Sequence, residues 1–111
     1  MYKIVASPVF KICLRRLVHF LSIKFSAKLA LETKQLIKNS ILGNLSDNPY
    51  IAPISDHLVD LGIKEYRLYL IDQHNIVFYR IDEENRRIIL LAVMDNRQSI
   101  QKLLSEVVLL S

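Results

Sequence analysis

Six basic side chains, Lys64, Arg67, Arg80, Arg86, Arg87 and Arg97, fall in or beside three stretches with strand character in the second half of the chain. Cations that converge on one face grip a phosphodiester through charge-assisted hydrogen bonds and stabilise the charge that develops as it is cleaved. Strand alternation can instead simply turn such side chains to solvent. Arg86 and Arg87, beside the acidic turn Asp82-Glu83-Glu84, fit that second reading better; Arg67 and Arg80 are balanced between the two. Other chemistries have less behind them. Both glycines are isolated, so no phosphate-cradling loop is present. His19, His57, His74 and Cys13 lie on different expected elements without the spacing of metal ligands, so neither a metal nor another cofactor is expected. Cys13 sits on the core rhythm of its helix and reads as a small buried hydrophobe rather than a nucleophile.

Arg97 stands in a different setting. The run LLAVMDNRQSIQKLL, residues 90–104, passes from an apolar strand into an amphipathic helix. Asp95 followed three residues later by Gln98 has the form of a capping box, and an acid suits the positive end of a helix. A base in the first turn opposes that dipole. Arg97 thus carries a local cost with no local gain, which points to function.

The elements that would hold these residues follow from periodicity. Residues 2–6 alternate as a short strand, Ser7-Pro8 caps and starts a helix over Val9–Phe25, and Ser26 caps a second from Ala27 to about Leu45. In the first helix Phe10, Cys13, Leu14, Leu17 and Leu21 keep helical rhythm, and Val9, Ile12, Val18, Phe20, Ile23 and Phe25 add apolar surface beyond one stripe. That excess predicts cover on a second side, by the domain itself or by a partner. In the second helix Leu29, Leu36, Ile37, Ser40 and Ile41 share a face. The short link between the two predicts an antiparallel hairpin. The segment SDNPYIAP, 46–53, is a turn and extended stretch, and 54–63 reads equally as a short strand or one turn of helix. Three strands follow over Glu65–Ile71, Asn75–Asp82 and Arg87–Met94, then a helix over Arg97–Leu109. The order β-α-α-β-β-β-α is α+β: a helical hairpin packed on a small, mostly antiparallel sheet, with a C-terminal helix, in one domain spanning 1–111.

Charge is unevenly shared. Residues 1–46 hold eight lysines and arginines against one acid, Glu32, and residues 47–111 hold seven against ten. The positive end attracts nucleic acid, acidic protein or anionic lipid. Lys11, Arg15, Arg16, His19 and Lys24 interrupt the first apolar stretch, so no membrane span or signal peptide is expected there. One cysteine excludes an internal disulfide and suits a cytoplasmic setting.

Taken together, the strand into Ser7-Pro8, the hairpin ending in LSDNPYIAP, and the series YRLYLI, NIVFYRID and RIILLAVMDNRQSI resemble the RelE/ParE superfamily of bacterial type II toxins over nearly the whole chain. The resemblance implies a growth-inhibiting toxin of the plasmid-stabilization kind, neutralised by a cognate antitoxin that wraps it. Phe10, Leu14, Leu17, Val18 and Leu21 are the candidate antitoxin contacts, within an apolar groove on sheet and hairpin. RelE-type members cleave mRNA in the ribosome with clustered Lys and Arg and often a Tyr or His near the C-terminus; ParE-type members inhibit DNA gyrase and have a longer hairpin. Arg97 matches the arginine that both groups tend to carry after the last strand, and Arg80 follows the aromatic of NIVFYR as in many ParE-like sequences. The RelE-type arginine one strand-face earlier falls near Ile76, and QSIQKLLSEVVLLS contains no Tyr or His. The resemblance therefore favours a ParE-like binding inhibitor of gyrase, with Arg97, Arg80, Arg67 and Lys64 on the target surface. Its alternatives are a ribosome-dependent endoribonuclease using Arg67, Arg80 and Arg97, and a non-toxic relative that binds a partner or DNA through the basic hairpin.

Overall fold

The computed structural model describes residues 2–60, 62, 64–99 and 102, with the backbone alone at His57. Strand β1 (Lys3–Ala6) leads straight into helix α1 (Pro8–Lys24), and the junction forms as its sequence dictates. Ser7 Oγ accepts the Phe10 amide hydrogen at 3.0 Å, and Pro8 occupies the first helical position, where its missing N–H costs nothing. Ser26 caps α2 (Ala27–Ser40) in the same way, its Oγ 3.0 Å from the Leu29 nitrogen. The expected end near Leu45 is reached through a different geometry. Beyond Ser40 the chain widens into a π-helical turn, Ile41–Leu45, closed by the Ser46 N–H to the Ile41 carbonyl at 3.3 Å. This turn brings Ile41 and Leu45 into the core.

The stretch that read two ways becomes a short helix, α3 (Asp56–Asp60), preceded by an antiparallel bridge between Ile54 and Arg67. Strands β2 (Arg67–Leu70), β3 (Asn75–Asp82) and β4 (Arg87–Asp95) complete one sheet in the order β1-β4-β3-β2. β4 pairs parallel with β1 and antiparallel with β3, so it is central, which accounts for its nearly continuous apolar sequence. The helical hairpin is the crossover that a parallel β1–β4 pairing requires. A bulge lies where Phe78 faces Ala92 but Tyr79 faces Leu90, leaving Leu91 as the extra residue of β4. β2 is shorter than expected because Glu65 has φ 73°, a left-handed conformation that a strand does not accept.

α1 packs on β4 through Phe10, Cys13, Leu17 and Leu21, all at most 5% exposed. α2 packs on α1 through Ala30, Thr33 and Ile37 rather than through Leu29 and Leu36. The smaller Ala30 and Thr33 let the helices approach, and Leu29 and Leu36 are turned toward solvent. Of the expected final helix, residues 96–98 form a turn and the remainder, apart from Ser99 and Lys102, lies outside the described residues. Ser99 Oγ accepts from the Lys102 amide at 3.2 Å.

The extended 48–53 segment is fastened to the sheet by the buried Tyr79, whose hydroxyl donates to the Pro49 carbonyl at 2.5 Å. Burial pushes the Tyr79 pKa up, so the group stays a donor across the working pH range. Tyr79→Phe would leave the buried Pro49 carbonyl unpaired. We expect it to lower the urea-unfolding free energy by about 1–2 kcal/mol with the m-value unchanged.

Candidate functional site

The sheet register decides which arginines can act together. Arg67 lies directly opposite Tyr79, and Tyr79 opposite Leu90, so all three share the helix-covered face. Arg80 is the next residue after Tyr79 and points to the other face. Arg67 is also occupied: its Nη1 donates to the Ala52 carbonyl at 2.6 Å and its guanidinium sits 5.0 Å from the Tyr50 ring centre. It braces the turn that Tyr79 fastens. Arg80 is half-buried opposite Ile89 and has no hydrogen-bond or ion-pair partner among the described residues. Lys64 is exposed in the loop before β2.

Arg97 stands at the far end of the sheet. Asp95 pairs with Asn75 at the start of β3, five residues from Arg80, roughly 17 Å at about 3.4 Å per residue. Arg97 clamps Asp95: Nε is 2.7 Å from Oδ1, Nη2 is 2.5 Å from Oδ2, and the Arg97 amide donates to Oδ1 at 2.8 Å. The guanidinium also lies 4.6 Å from the Phe25 ring centre at the end of α1. So the arginine that had no local explanation in the sequence has a local gain after all: it neutralises a carboxylate that is 1% exposed. Burial alone would raise the Asp95 pKa, but the Arg97 hydrogen bonds and charge outweigh it and hold the group below the usual carboxylate range. Half of the expected capping box forms. Gln98 Oε1 accepts the Asp95 N–H at 3.0 Å, whereas the Asp95 carboxylate turns to Arg97.

A polar cluster around this pair was not visible in the sequence, where DQHN reads only as a hairpin turn. Asp72 accepts from the amides of His74 (2.8 Å) and Asn75 (2.9 Å) and from the Asn75 side chain. His74 Nδ1 lies 3.2 Å from Asn96 Oδ1, and Asn96 Nδ2 donates to the Gln73 carbonyl at 2.7 Å. These bonds tie the β2–β3 turn to the 95–98 turn and fix where Arg97 starts. At the opposite end of the sheet Glu83 accepts from the hydroxyls of Tyr2 and Tyr50, and these bonds, Tyr2 foremost, hold its pKa down. An ionised acceptor of this kind is not a general acid. Burial pushes the Cys13 thiol up, which disfavours the thiolate a nucleophile needs. Among the described residues, no three of His, Cys, Asp or Glu are grouped to hold a metal. No described helix is long and apolar enough to cross a membrane.

The five candidate antitoxin contacts divide. Phe10, Leu17 and Leu21 are core residues facing the chain's own sheet, although Phe10 also lines the floor of a surface groove; Leu14 and Val18 are half-buried and reach surface clefts. The rhythm that singled them out is also the rhythm of internal packing, so Leu17 and Leu21 are covered by the chain itself. Accessible apolar surface is also found on α2 and the π turn, where Leu31 is 65% and Leu42 52% exposed. With Ile4 and Leu14 they wall a groove of ≈ 540 Å³ between β1, α1 and α2, with Lys34 and Lys38 also lining it. β1 is an edge strand of the sheet and borders this groove through Ile4.

No family model matches the chain, and no curated protein sequence matches it. Among solved structures the chain is similar to one chain of the toxin–antitoxin complex RelBE2 from Mycobacterium tuberculosis, with a TM-score of 0.62, 16% identity, and coverage of 85% of this chain and 96% of that one. The α+β arrangement expected from the sequence, a helical hairpin packed on a small, mostly antiparallel sheet, is the fold of this chain and is shared with that chain of RelBE2.

Proposed function

We propose that this chain is the toxin of a type II toxin–antitoxin pair and that it acts in the ParE manner, engaging DNA gyrase and trapping its DNA-cleaved state without chemistry of its own. The observation that carries the ParE choice is the scatter of the arginines. A phosphodiester-cleaving site needs cations aimed at one phosphate. Here Arg67 and Arg80 lie on opposite faces and Arg97, bound to Asp95, is at the other end of the sheet. The toxin reading itself is supported by the fold shared with a chain of RelBE2 and by the unfilled groove of Leu31, Leu42 and Ile4, which suits the apolar side of an antitoxin segment. Lys34 and Lys38 in its lining favour an acidic segment and would make the association rate fall with salt.

Induction of the chain in bacteria tests this. Growth should stop, plasmid DNA should accumulate in linear form, and primer extension should reveal no new transcript ends. New ends within translated codons would replace the ParE reading with the ribosome-dependent nuclease, and unhindered growth would remove the toxin reading.

A further inference from the structure

The strongest feature the toxin reading leaves unused is a basic band on the outer side of the hairpin. A cleft of ≈ 630 Å³ opens between the C-terminal half of α1 and residues 98, 99 and 102, where Arg16, His19, Lys24 and Lys102 line it around Phe20 and Ile23. A second, of ≈ 330 Å³, lies between α1 and α2, with Arg15, His19 and Lys34 over Leu14 and Val18. His19 lines both, so the two form one continuous track. Among the described residues no carboxylate lines either cleft. The single acid of residues 1–46, Glu32, is exposed beside Lys28 at 4.0 Å and outside both.

The geometry points to a binding track for the phosphate backbone of single-stranded nucleic acid, read without regard to sequence, along Arg15, Arg16, His19, Lys24, Lys34 and Lys102. Arg15 and His19 lie one turn apart on the exposed side of α1, and Lys24 lines the larger cleft at the helix end, about 13 Å from Arg15 along the axis. The half-buried Phe20 offers a flat ring inside the larger cleft, and Gln98 and Ser99 supply neutral donors beside it. An aromatic face among cations is the arrangement that stacks an unpaired base while its phosphates are held. A recessed ring is out of reach of the stacked bases of a duplex. An amphipathic acidic peptide is better seated in the neighbouring groove, where Leu31, Ile37 and Leu42 receive its apolar side. The track requires neither gyrase nor an antitoxin and does not rest on the toxin reading.

Fluorescence anisotropy with a labelled, mixed-sequence single-stranded DNA oligonucleotide and the full chain, titrated across salt, tests it. The wild type should bind, and bind the same sequence more weakly as a duplex. Arg15→Gln/Lys24→Gln should weaken binding by about tenfold and flatten the slope of log K against log salt by about 1.4, near 0.7 for each lost phosphate contact. Phe20→Leu, which keeps the packing, should weaken single-strand binding about fivefold and spare the duplex. Lys3→Gln, exposed on β1 outside the track, should change neither quantity. Absence of binding, an unchanged salt slope in the double variant, or equal affinity for the duplex would overturn the proposal. So would displacement by poly-glutamate at equal charge, which would make the band an acidic-protein surface.

Discussion

Leu17→Ala is expected to lower the folding free energy by about 2–5 kcal/mol, and Leu42→Ala to leave it within about 0.5 kcal/mol. The two leucines are alike in type and differ only in place. Leu17 is 0% exposed between α1 and β4, so truncation opens a cavity in a domain with a single core; Leu42 is 52% exposed on the wall of the groove. Antitoxin capture should divide the other way. Leu42→Ala removes side-chain area that a docked segment would bury and should weaken binding about tenfold in the folded protein. Leu17→Ala should weaken it only by depleting the folded population. Urea denaturation and titration with the antitoxin peptide separate the two effects. A Leu42 variant with native affinity would move the docking site off the groove.

Asp95→Asn is the second large effect. Asp95 accepts two side-chain bonds and one amide bond from Arg97 while almost wholly buried, so the substitution trades charge-assisted bonds for weaker neutral ones. About 2 kcal/mol of stability should go with them. The pH dependence follows from the lowered pKa of Asp95. A carboxyl that ionises more readily folded than unfolded stabilises the fold fully above its unfolded pKa, and that stabilisation is lost as pH falls through the lowered folded value. Stability curves should therefore converge for wild type and Asp95→Asn as pH drops below the usual carboxylate range, and separate above it. A constant gap at every acidic pH would show that the ion pair is not what the carboxylate contributes.

The fold was largely legible because its signals are local: Ser7-Pro8 and Ser26 cap helices wherever the chain goes, and β4 is apolar because it is central. Residues whose meaning depends on distant partners were not legible. Arg97 looked costly because its compensation comes from the Asp95 carboxylate, which sequence spacing assigned to capping, and from Phe25, 72 positions away in the chain. Arg67 and Arg80 seemed equivalent until register placed them on opposite faces. Leu17 and Leu21 had the periodicity of a core and are buried there, whereas Leu31 of α2 and Leu42 of the π turn line the groove and stay exposed. Periodicity identifies an apolar stripe; it does not say whether the chain or another protein covers it.

The most direct test of a binding inhibitor without chemistry uses the purified chain with DNA gyrase and supercoiled plasmid, beside a reconstituted translation reaction. The account predicts loss of supercoiling with accumulation of linear plasmid, and intact mRNA in the translation reaction. Untouched gyrase with mRNA cut at the ribosome would contradict it, and would mean that arginines this far apart are brought together on the target.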